Sequence, residues 1–179
     1  PVIVNDVEIE KTLMPNKVVT TTIFEKLVDA LLDKEVETIS PKPNDVFELG
    51  KGNGIKQGSD VLVIACGQIV NDALDAAEKL EAEGISVEVI DMFTLKPFDK
   101  ELVLKEVQGK KSVVTFENHS IIGGLGSAVA EVMAEAGVAC KLDRIGVLDM
   151  FGQSGKPDEL FELYDMDAKA IAKAAKEIL

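Results

Sequence analysis

Apolar and polar positions follow two alternating patterns from about residue 46 to the end of the chain. Short apolar runs such as Val61–Cys66 have no polar interruption, which is typical of strands buried on both faces of a parallel sheet. Longer segments such as Asn71–Glu83 repeat apolar residues at helical spacing. This exchange of strand and helix through short connections predicts an α/β domain with a mainly parallel sheet and helices on both faces.

Local signals set the limits of the individual elements. The predicted strands are Val61–Cys66, Ser86–Asp91, Ser112–Glu117 and Lys141–Ile145. The last of these is the most polar, which places it nearer an edge of the sheet. The predicted helices are Asn71–Glu83, Pro97–Val107, Leu125–Glu135, a short helix with Pro157 in its first position, and a last helix that Asp167 caps and that runs through Ile178.

The first 45 residues follow a different pattern. The sequence favours short strands at Val2–Val4 and Val7–Ile9. The capping box Thr22–Glu25 opens a predicted helix, and the prolines of Ser40–Asn44 then indicate a linker. We therefore predict two parts: residues 1–45, an N-terminal extension or remnant of unknown role, and residues 46–179, the α/β domain.

Composition and charge exclude several classes of protein. The chain has 179 residues, of which 46% are hydrophobic, and this is ordinary for a packed domain and unlike a disordered chain. Its 19 basic and 32 acidic residues give a formal charge of −13, which argues against nucleic-acid binding and polybasic membrane anchoring. No apolar run approaches the roughly 20 residues that span a bilayer. Two cysteines provide no disulfide framework, so a reducing, cytoplasmic setting is expected.

Three loops are the natural places for a ligand, because ligands of such sheets usually lie beyond the carboxyl ends of the strands. The loops are Cys66–Gln68, Asp91–Lys96 and Glu117–Gly126. Cys66 is interpreted as a small buried residue rather than a reactive thiol. The cysteines lack metal-ligand spacing and a single histidine cannot complete a zinc site, so no metal site is predicted.

The third of these loops has the most informative sequence. Gly123, Gly124 and Gly126 lie between a buried strand and a helix, where they permit close backbone approach beside free helix amides. One interpretation is a phosphate or carboxylate cradle. A dinucleotide fingerprint is disfavoured, because Val129 stands where a third small residue is needed. The favoured alternative is that the glycines only let the helix pack closely on the sheet.

Glu117, His119 and Ser120 could in principle carry out acid–base chemistry, because histidine titrates near neutral pH. However, neighbours in sequence do not generally converge on one point, and triads are assembled from separate loops. A hydrogen-bonded loop or interface histidine is therefore the favoured role of His119. The segment Asp149–Pro157, with two glycines and an exposed phenylalanine, is predicted to be a structured loop over a cleft or at an interface.

Five segments, in order and without large gaps, resemble the C-terminal domain of the transketolase family. They are Val61–Gly67, Val89–Pro97, Glu117–Ser127, Arg144–Gly146 and Asp149–Gly155. The run HSIIGGLGSAV is the most specific of these matches. The chain is most similar to the C-terminal portions of transketolases, including the C-terminal subunits of split ones. It resembles deoxyxylulose-phosphate synthases and the E1 β-subunits of 2-oxo acid dehydrogenases more distantly.

The resemblance implies a three-layer α/β/α sandwich with a mostly parallel five-stranded sheet, whose one antiparallel strand we place at about residues 46–50. It implies a parent enzyme that uses thiamine diphosphate and Mg²⁺ to transfer a two-carbon ketol unit between sugar phosphates, in the pentose phosphate pathway. In that family the cofactor lies between two other domains, and the C-terminal domain supports the dimer. We therefore expect no catalytic, cofactor-binding or metal-binding residue here, and no activity of this chain alone.

The resemblance also suggests partners and interface residues. The expected partners are the thiamine-diphosphate-binding domains or subunit of the parent enzyme and a second copy of the chain, with no nucleic acid and no membrane. High negative charge opposes self-association, so salt should strengthen it. The loop-shaping, interface or anion-site residues are Glu117, His119, Ser120, Gly123, Gly124 and Gly126.

Two other hypotheses belong to different classes. One is a stand-alone assembly or regulatory module, or an E1 β-type domain, that uses the same fold to dock a partner. The other is a small-ligand binder that uses the loop Glu117–Gly126. A parent chain or neighbouring gene with two cofactor domains favours the transketolase interpretation, and phosphate or nucleotide bound at Gly123–Gly126 favours the ligand binder.

Overall fold

The computed structural model describes residues Val2–Val4, Val7–Ile9 and 47–179. The chain divides into two units, residues 1–42 and 43–179. In the first unit, β1 (Val2–Val4) pairs antiparallel with β2 (Val7–Ile9), as the short apolar segments predict. The helix that the capping box predicts and the proline linker lie outside the described residues.

The second unit contains one five-stranded sheet. Its strands are β3 (Asn53–Lys56), β4 (Val61–Ala65), β5 (Val87–Asp91), β6 (Ser112–Ser120) and β7 (Lys141–Val147). Their order across the sheet is β3-β5-β4-β6-β7. Strands β5, β4, β6 and β7 are mutually parallel, whereas β3 pairs antiparallel with β5. This arrangement confirms the predicted mostly parallel sheet and the edge position of β7.

Helices cover both faces of this sheet. They are α1 (Val70–Ala82), α2 (Lys100–Glu106), α3 (Leu125–Glu135), α4 (Pro157–Leu163) and α5 (Ala168–Glu177). One buried cluster contains residues of α1 and α5, and the other contains residues of α2 and α3. Successive side chains of β4 enter opposite clusters and all five are buried, which is why this strand has no polar residue. In the described part of the chain, no helix combines the length and apolarity needed to cross a membrane.

The position predicted for the antiparallel strand was wrong. Residues 47–50 do not form a strand; they lead into a turn in which the Lys51 amide donates to the Glu48 carbonyl and Gly50 has a φ of 83°. The strand is instead β3, whose sequence Asn-Gly-Ile-Lys has no strand-like pattern. An edge strand can form from such a sequence, because its backbone pairing with β5 requires no apolar side chain.

Helix limits follow the caps. The predicted start of α2 at Pro97 was wrong, because the Asp99 carboxylate caps the helix by accepting from the Leu102 amide at 3.0 Å. The other Asp99 oxygen accepts from the Gly52 amide at 3.2 Å, which ties α2 to the segment before β3. The predicted cap of α5 is confirmed, with Asp167 accepting from the Ala170 amide at 2.9 Å.

A buried ion pair ties the amino-terminal end of the sheet together. Lys110 Nζ lies 2.6 Å from Glu88 Oε2, and the two side chains are 9% and 2% exposed. The same ammonium group donates to the Gly58 carbonyl at 2.6 Å. The connection before β4, strand β5 and the connection before β6 therefore meet at one charged group, where removal of one partner would leave a charge buried and unpaired.

We expect Lys110→Met to lower the free energy of unfolding by about 3–5 kcal/mol, because it leaves the Glu88 carboxylate without its partner. The loss should be smaller at acidic pH, where Glu88, whose pKa burial already raises, takes up a proton instead. Urea denaturation at several pH values measures both effects. The control is Lys100→Met, which removes an exposed pair with Glu135 and should cost about 0–1 kcal/mol. Equal losses in the two variants would contradict the prediction.

Candidate functional site at the carboxyl end of the sheet

The crevice in which ligands bind to such folds lies between β4 and β6. The chain passes from β4 to β5 on one side and then crosses to β6 on the other, so the strand order reverses between β4 and β6. Cys66 and Glu117 follow the last paired residues of these strands, and the Cys66 amide donates to the Phe116 carbonyl at 3.3 Å. Asp91 is paired with Ala65 on the other side of β4. The structure thus brings together the starts of all three predicted loops.

The Glu117 side chain points inward and caps α3. The residue is only 1% exposed. Its Oε2 accepts from the Leu125 amide at 2.7 Å, and its Oε1 accepts from the Gly126 amide at 2.8 Å. The carboxylate therefore accepts hydrogen bonds from two of the amides that a helix start leaves free. Its negative charge also interacts favourably with the positive end of the helix dipole.

Gly124 makes room for this carboxylate, and Gly146 and Gly126 make room for the groups around it. A Cβ added at Gly124 would lie 1.8 Å from Glu117 Oε2, and one added at Gly146 would lie 3.0 Å from Glu117 Cγ. At Gly126 it would lie 2.8 Å from Thr115 Oγ1. Close approach to neighbouring groups therefore requires glycine at these three positions, whereas Gly123 of the same loop has a positive φ of 76°.

Four amides of the glycine loop and the start of α3 already have internal partners. Besides the two bonds to Glu117, the Gly123 amide donates to Ser127 Oγ at 2.9 Å, and the Ile122 amide donates to Ser120 Oγ at 3.2 Å. An external phosphate or carboxylate at the start of α3 would have to displace the Glu117 carboxylate. The anion role assigned to this loop stays a prediction, and Glu117 is the anion that the structure places there.

The electrostatics of the crevice disfavour an incoming anion or a reactive thiol. Burial, together with the Glu117 and Asp91 carboxylates, raises the pKa of the Cys66 thiol to about 11. Burial also raises the pKa of Asp91, whose Oδ1 is buried without a hydrogen-bond partner in the described part of the chain. The thiolate is the nucleophilic form of cysteine, so a thiol with this pKa is inert near neutral pH. This agrees with the interpretation that Cys66 is not a reactive thiol, although its side chain is half-buried rather than buried.

Of the remaining predicted site residues, His119 lies on the surface and Ser120 is half-buried. His119 is exposed, and its Nδ1 lies 3.1 Å from the Ser120 carbonyl oxygen. Among the described residues, no group of three or more His, Cys, Asp and Glu side chains is placed to hold a metal ion. The structure therefore separates the buried Glu117 from the exposed His119, and their predicted interface roles stay predictions.

An exposed apolar surface lies beside the glycine loop. The Ile121 amide donates to the Val147 carbonyl at 3.0 Å, so the backbone at Ile122 runs close to Leu148, the residue that follows β7. Large apolar side chains continue along the chain, and Phe151 is 98% exposed. We call the four exposed residues the apolar end surface: Ile122, Leu148, Met150 and Phe151. Exposed large apolar side chains that cluster in this way are candidates for an interaction site.

Tyr164 anchors the loop that carries Phe151. Its hydroxyl oxygen accepts from the Gln153 amide at 2.8 Å, so the residue that follows α4 holds the preceding loop. The sequence analysis identified this loop but missed Tyr164. The only local signal was its being the single tyrosine of the chain, close to the end of a short helix.

An open groove of about 390 Å³ lies between β7 and α5. It is lined by charged side chains of both signs, including Arg144, Asp167 and Lys173. Arg144 Nη1 is already engaged, because it donates to the Ile121 carbonyl at 3.2 Å. Opposite charges spread over an open groove do not define a ligand, so the apolar end surface is the better-defined feature of this region.

Comparison with known proteins identifies a family. Residues 50–171 match the family model described as the transketolase C-terminal domain. The chain is 51% identical over 131 residues to a protein named as a transketolase C-terminal section from Methanocaldococcus jannaschii, covering 73% of this chain and 40% of the relative. It is 47% identical over 135 residues to a 6-deoxy-6-sulfo-D-fructose transketolase subunit from Clostridium sp., covering 75% of this chain and 42% of that subunit.

Solved structures give the same result. A split-gene transketolase, described as an inactive β4 tetramer, superimposes with a TM-score of 0.73 at 44% identity, covering 77% of this chain and 45% of the other. A transketolase from Pichia stipitis in complex with sedoheptulose-7-phosphate superimposes with a TM-score of 0.56 at 25% identity, covering 72% and 18%. The chain therefore spans less than half the length of these relatives.

We expect Gly124→Ala to lower the free energy of unfolding by about 3 kcal/mol, because the new methyl group would displace the Glu117 carboxylate from its two amides. Gly152→Ala is the control, since no atom lies within 4 Å of its added Cβ, and it should change stability by less than about 0.5 kcal/mol. Urea denaturation compares the two variants. A Gly124→Ala variant as stable as the Gly152→Ala variant would contradict the arrangement described here.

Proposed function

We propose, since the chain belongs to the transketolase C-terminal domain family, that it is the C-terminal section of a thiamine-diphosphate-dependent transketolase-like transferase. In the parent enzyme, thiamine diphosphate with Mg²⁺ supplies the chemistry of two-carbon ketol transfer between sugar phosphates. This chain supports assembly with the domains or subunit that bind the cofactor, and it has no catalytic role alone. A reducing compartment agrees with its two free cysteines.

One observation carries this proposal: a side chain of the protein itself, Glu117, occupies the crevice in which sheets of this kind usually bind ligands. Glu117 occupies the helix amides that a diphosphate would need, and Asp91, the last residue of β5, is paired with Ala65 at the same end of the sheet. The described residues at this edge therefore do not fit thiamine diphosphate. Mg²⁺ is usually held by carboxylates together with substrate phosphates. Because Glu117 occupies the amides at the start of α3, no phosphate can bind to them.

Assembly is the function that the exposed surface supports. The apolar end surface is open to solvent, and its loop is held by Tyr164 rather than left free. A 44% identical relative is described as a β4 tetramer, so self-association through this surface is part of the proposal. His119 and residues 149–155 then lie near the contact.

We expect the chain to self-associate and Phe151→Ser to raise the dissociation constant at least about tenfold, since exposed aromatic residues that become buried contribute most to such contacts. High salt should strengthen the wild-type association, because each copy carries a charge of −13. Sedimentation equilibrium measures both effects. The matched control is Leu49→Ser, which removes another exposed apolar side chain beside the opposite edge of the sheet. A strict monomer at high salt and high protein concentration would contradict self-association.

We also expect no saturable binding of thiamine diphosphate with Mg²⁺ to residues 1–179, because the described helix start that could receive a diphosphate is occupied by Glu117. Titration calorimetry is the direct measurement, and Mg²⁺ without the cofactor is its control. Binding in the micromolar range, about −8 kcal/mol, would overturn the non-catalytic role of this chain.

A further inference from the structure

The segment between β6 and α3 is a loop that Glu117 closes. Glu117 stands at one end of the loop and Leu125 at the other, eight residues apart, and the hydrogen bond from the Leu125 amide to Oε2 joins them. A second bond, from the Gly126 amide to Oε1, holds the other carboxylate oxygen at the start of α3. The closed loop carries His119 and Ile122 on its exposed side.

Further hydrogen bonds connect this closed loop to α3 and to the end of β7, beside the apolar end surface. Ser127 Oγ, on the first turn of α3, donates to the Ile121 carbonyl at 2.9 Å. Arg144 Nη1 donates to the same carbonyl from β7, and the Ile121 amide donates to Val147. The position of Ile122 beside Leu148 therefore depends on where the first turn of α3 lies.

We propose that Glu117 is the positioning residue of the apolar end surface: its buried carboxylate, resident in the ligand crevice of the fold, closes the loop and holds the backbone at Ile122 close to Leu148. This inference rests on the proposed function, because it concerns the surface through which the chain is proposed to assemble. Without the carboxylate, two amides at the start of α3 lose their acceptor, and the loop is no longer closed at residue 117.

The surroundings of Glu117 make the inference testable by chemical rescue. Glu117→Ala removes a CH₂–COO⁻ group, and acetate has the same heavy atoms. The vacated space retains the amides of Leu125 and Gly126. Thr115, whose hydroxyl is fully buried and has no partner among the described residues, also approaches Gly126. These donors are already arranged around a carboxylate, so they should bind the carboxylate of free acetate.

The experiment uses the whole chain, with acetate as the probe and chloride at equal ionic strength as the reference. We expect Glu117→Ala to raise the dissociation constant for self-association at least about tenfold and to speed amide hydrogen exchange throughout residues 118–126. Acetate in the millimolar range should reverse both changes saturably, and chloride should not. Glu78→Ala, which removes an exposed carboxylate of α1, is the matched control and should respond to neither salt specifically.

The outcomes separate this inference from the proposed function. Normal exchange of residues 118–126 in Glu117→Ala, or equal effects of acetate and chloride, would overturn the positioning role. If Glu117→Ala does not fold, Glu117→Gln keeps the shape with one acceptor oxygen, and exchange of this segment at the wild-type rate would likewise overturn it. Loss of association in Phe151→Ser but not in Glu117→Ala would overturn only this inference. If the wild type is monomeric and acetate still restores slow loop exchange in Glu117→Ala, only self-association would be overturned.

Discussion

The carboxylate of Glu117, bonded to the first amides of α3, is the interaction on which the carboxyl end of the sheet depends. A buried charge is stable only when it is fully hydrogen-bonded, and a helix start offers amides that need an acceptor. Each group therefore compensates for the other. The glycines at 124 and 146 follow from this contact, because any side chain there would collide with Glu117.

This contact also changes what the fold can do. In open α/β sheets the crevice at the strand-order reversal usually receives a ligand. Here the crevice receives a side chain of the same chain, with the Cys66 thiol and the Asp91 carboxyl group nearby. The architecture is thus that of a ligand-binding sheet, whereas the site chemistry is that of a packed interior, and it is the site rather than the fold that indicates function.

The two ends of the sheet have complementary roles. At the amino-terminal end, Lys110 joins Glu88 to the Gly58 carbonyl and holds strand β5 and two connections together. At the carboxyl-terminal end, Glu117 holds the helix start, while neighbouring apolar residues remain exposed. Hydrogen bonds at both ends of the sheet therefore hold it rigid next to an exposed surface. An assembly domain requires this property.

The sequence by itself determined the elements whose causes are local. The unbroken apolar run of β4, the helical spacing of α1, Pro157 at the start of α4 and the Asp167 cap of α5 each have a signal within a few residues, and all four were predicted. The parallel direction of the core strands also followed from these patterns, because strand and helix alternate through short connections.

Only the tertiary structure decided the rest. The strand β3 has no local signal, because an edge strand is stabilised by the backbone of its neighbour β5. The direction of the Glu117 side chain, the anchoring of the Phe151 loop by Tyr164 and the adjacency of Ile122 to Leu148 all depend on contacts between segments distant in sequence. A glycine-rich segment looks the same in sequence whether it cradles a ligand or a side chain. Only the packed structure shows which anion occupies it, because the deciding hydrogen bonds form after the strand and the helix have met.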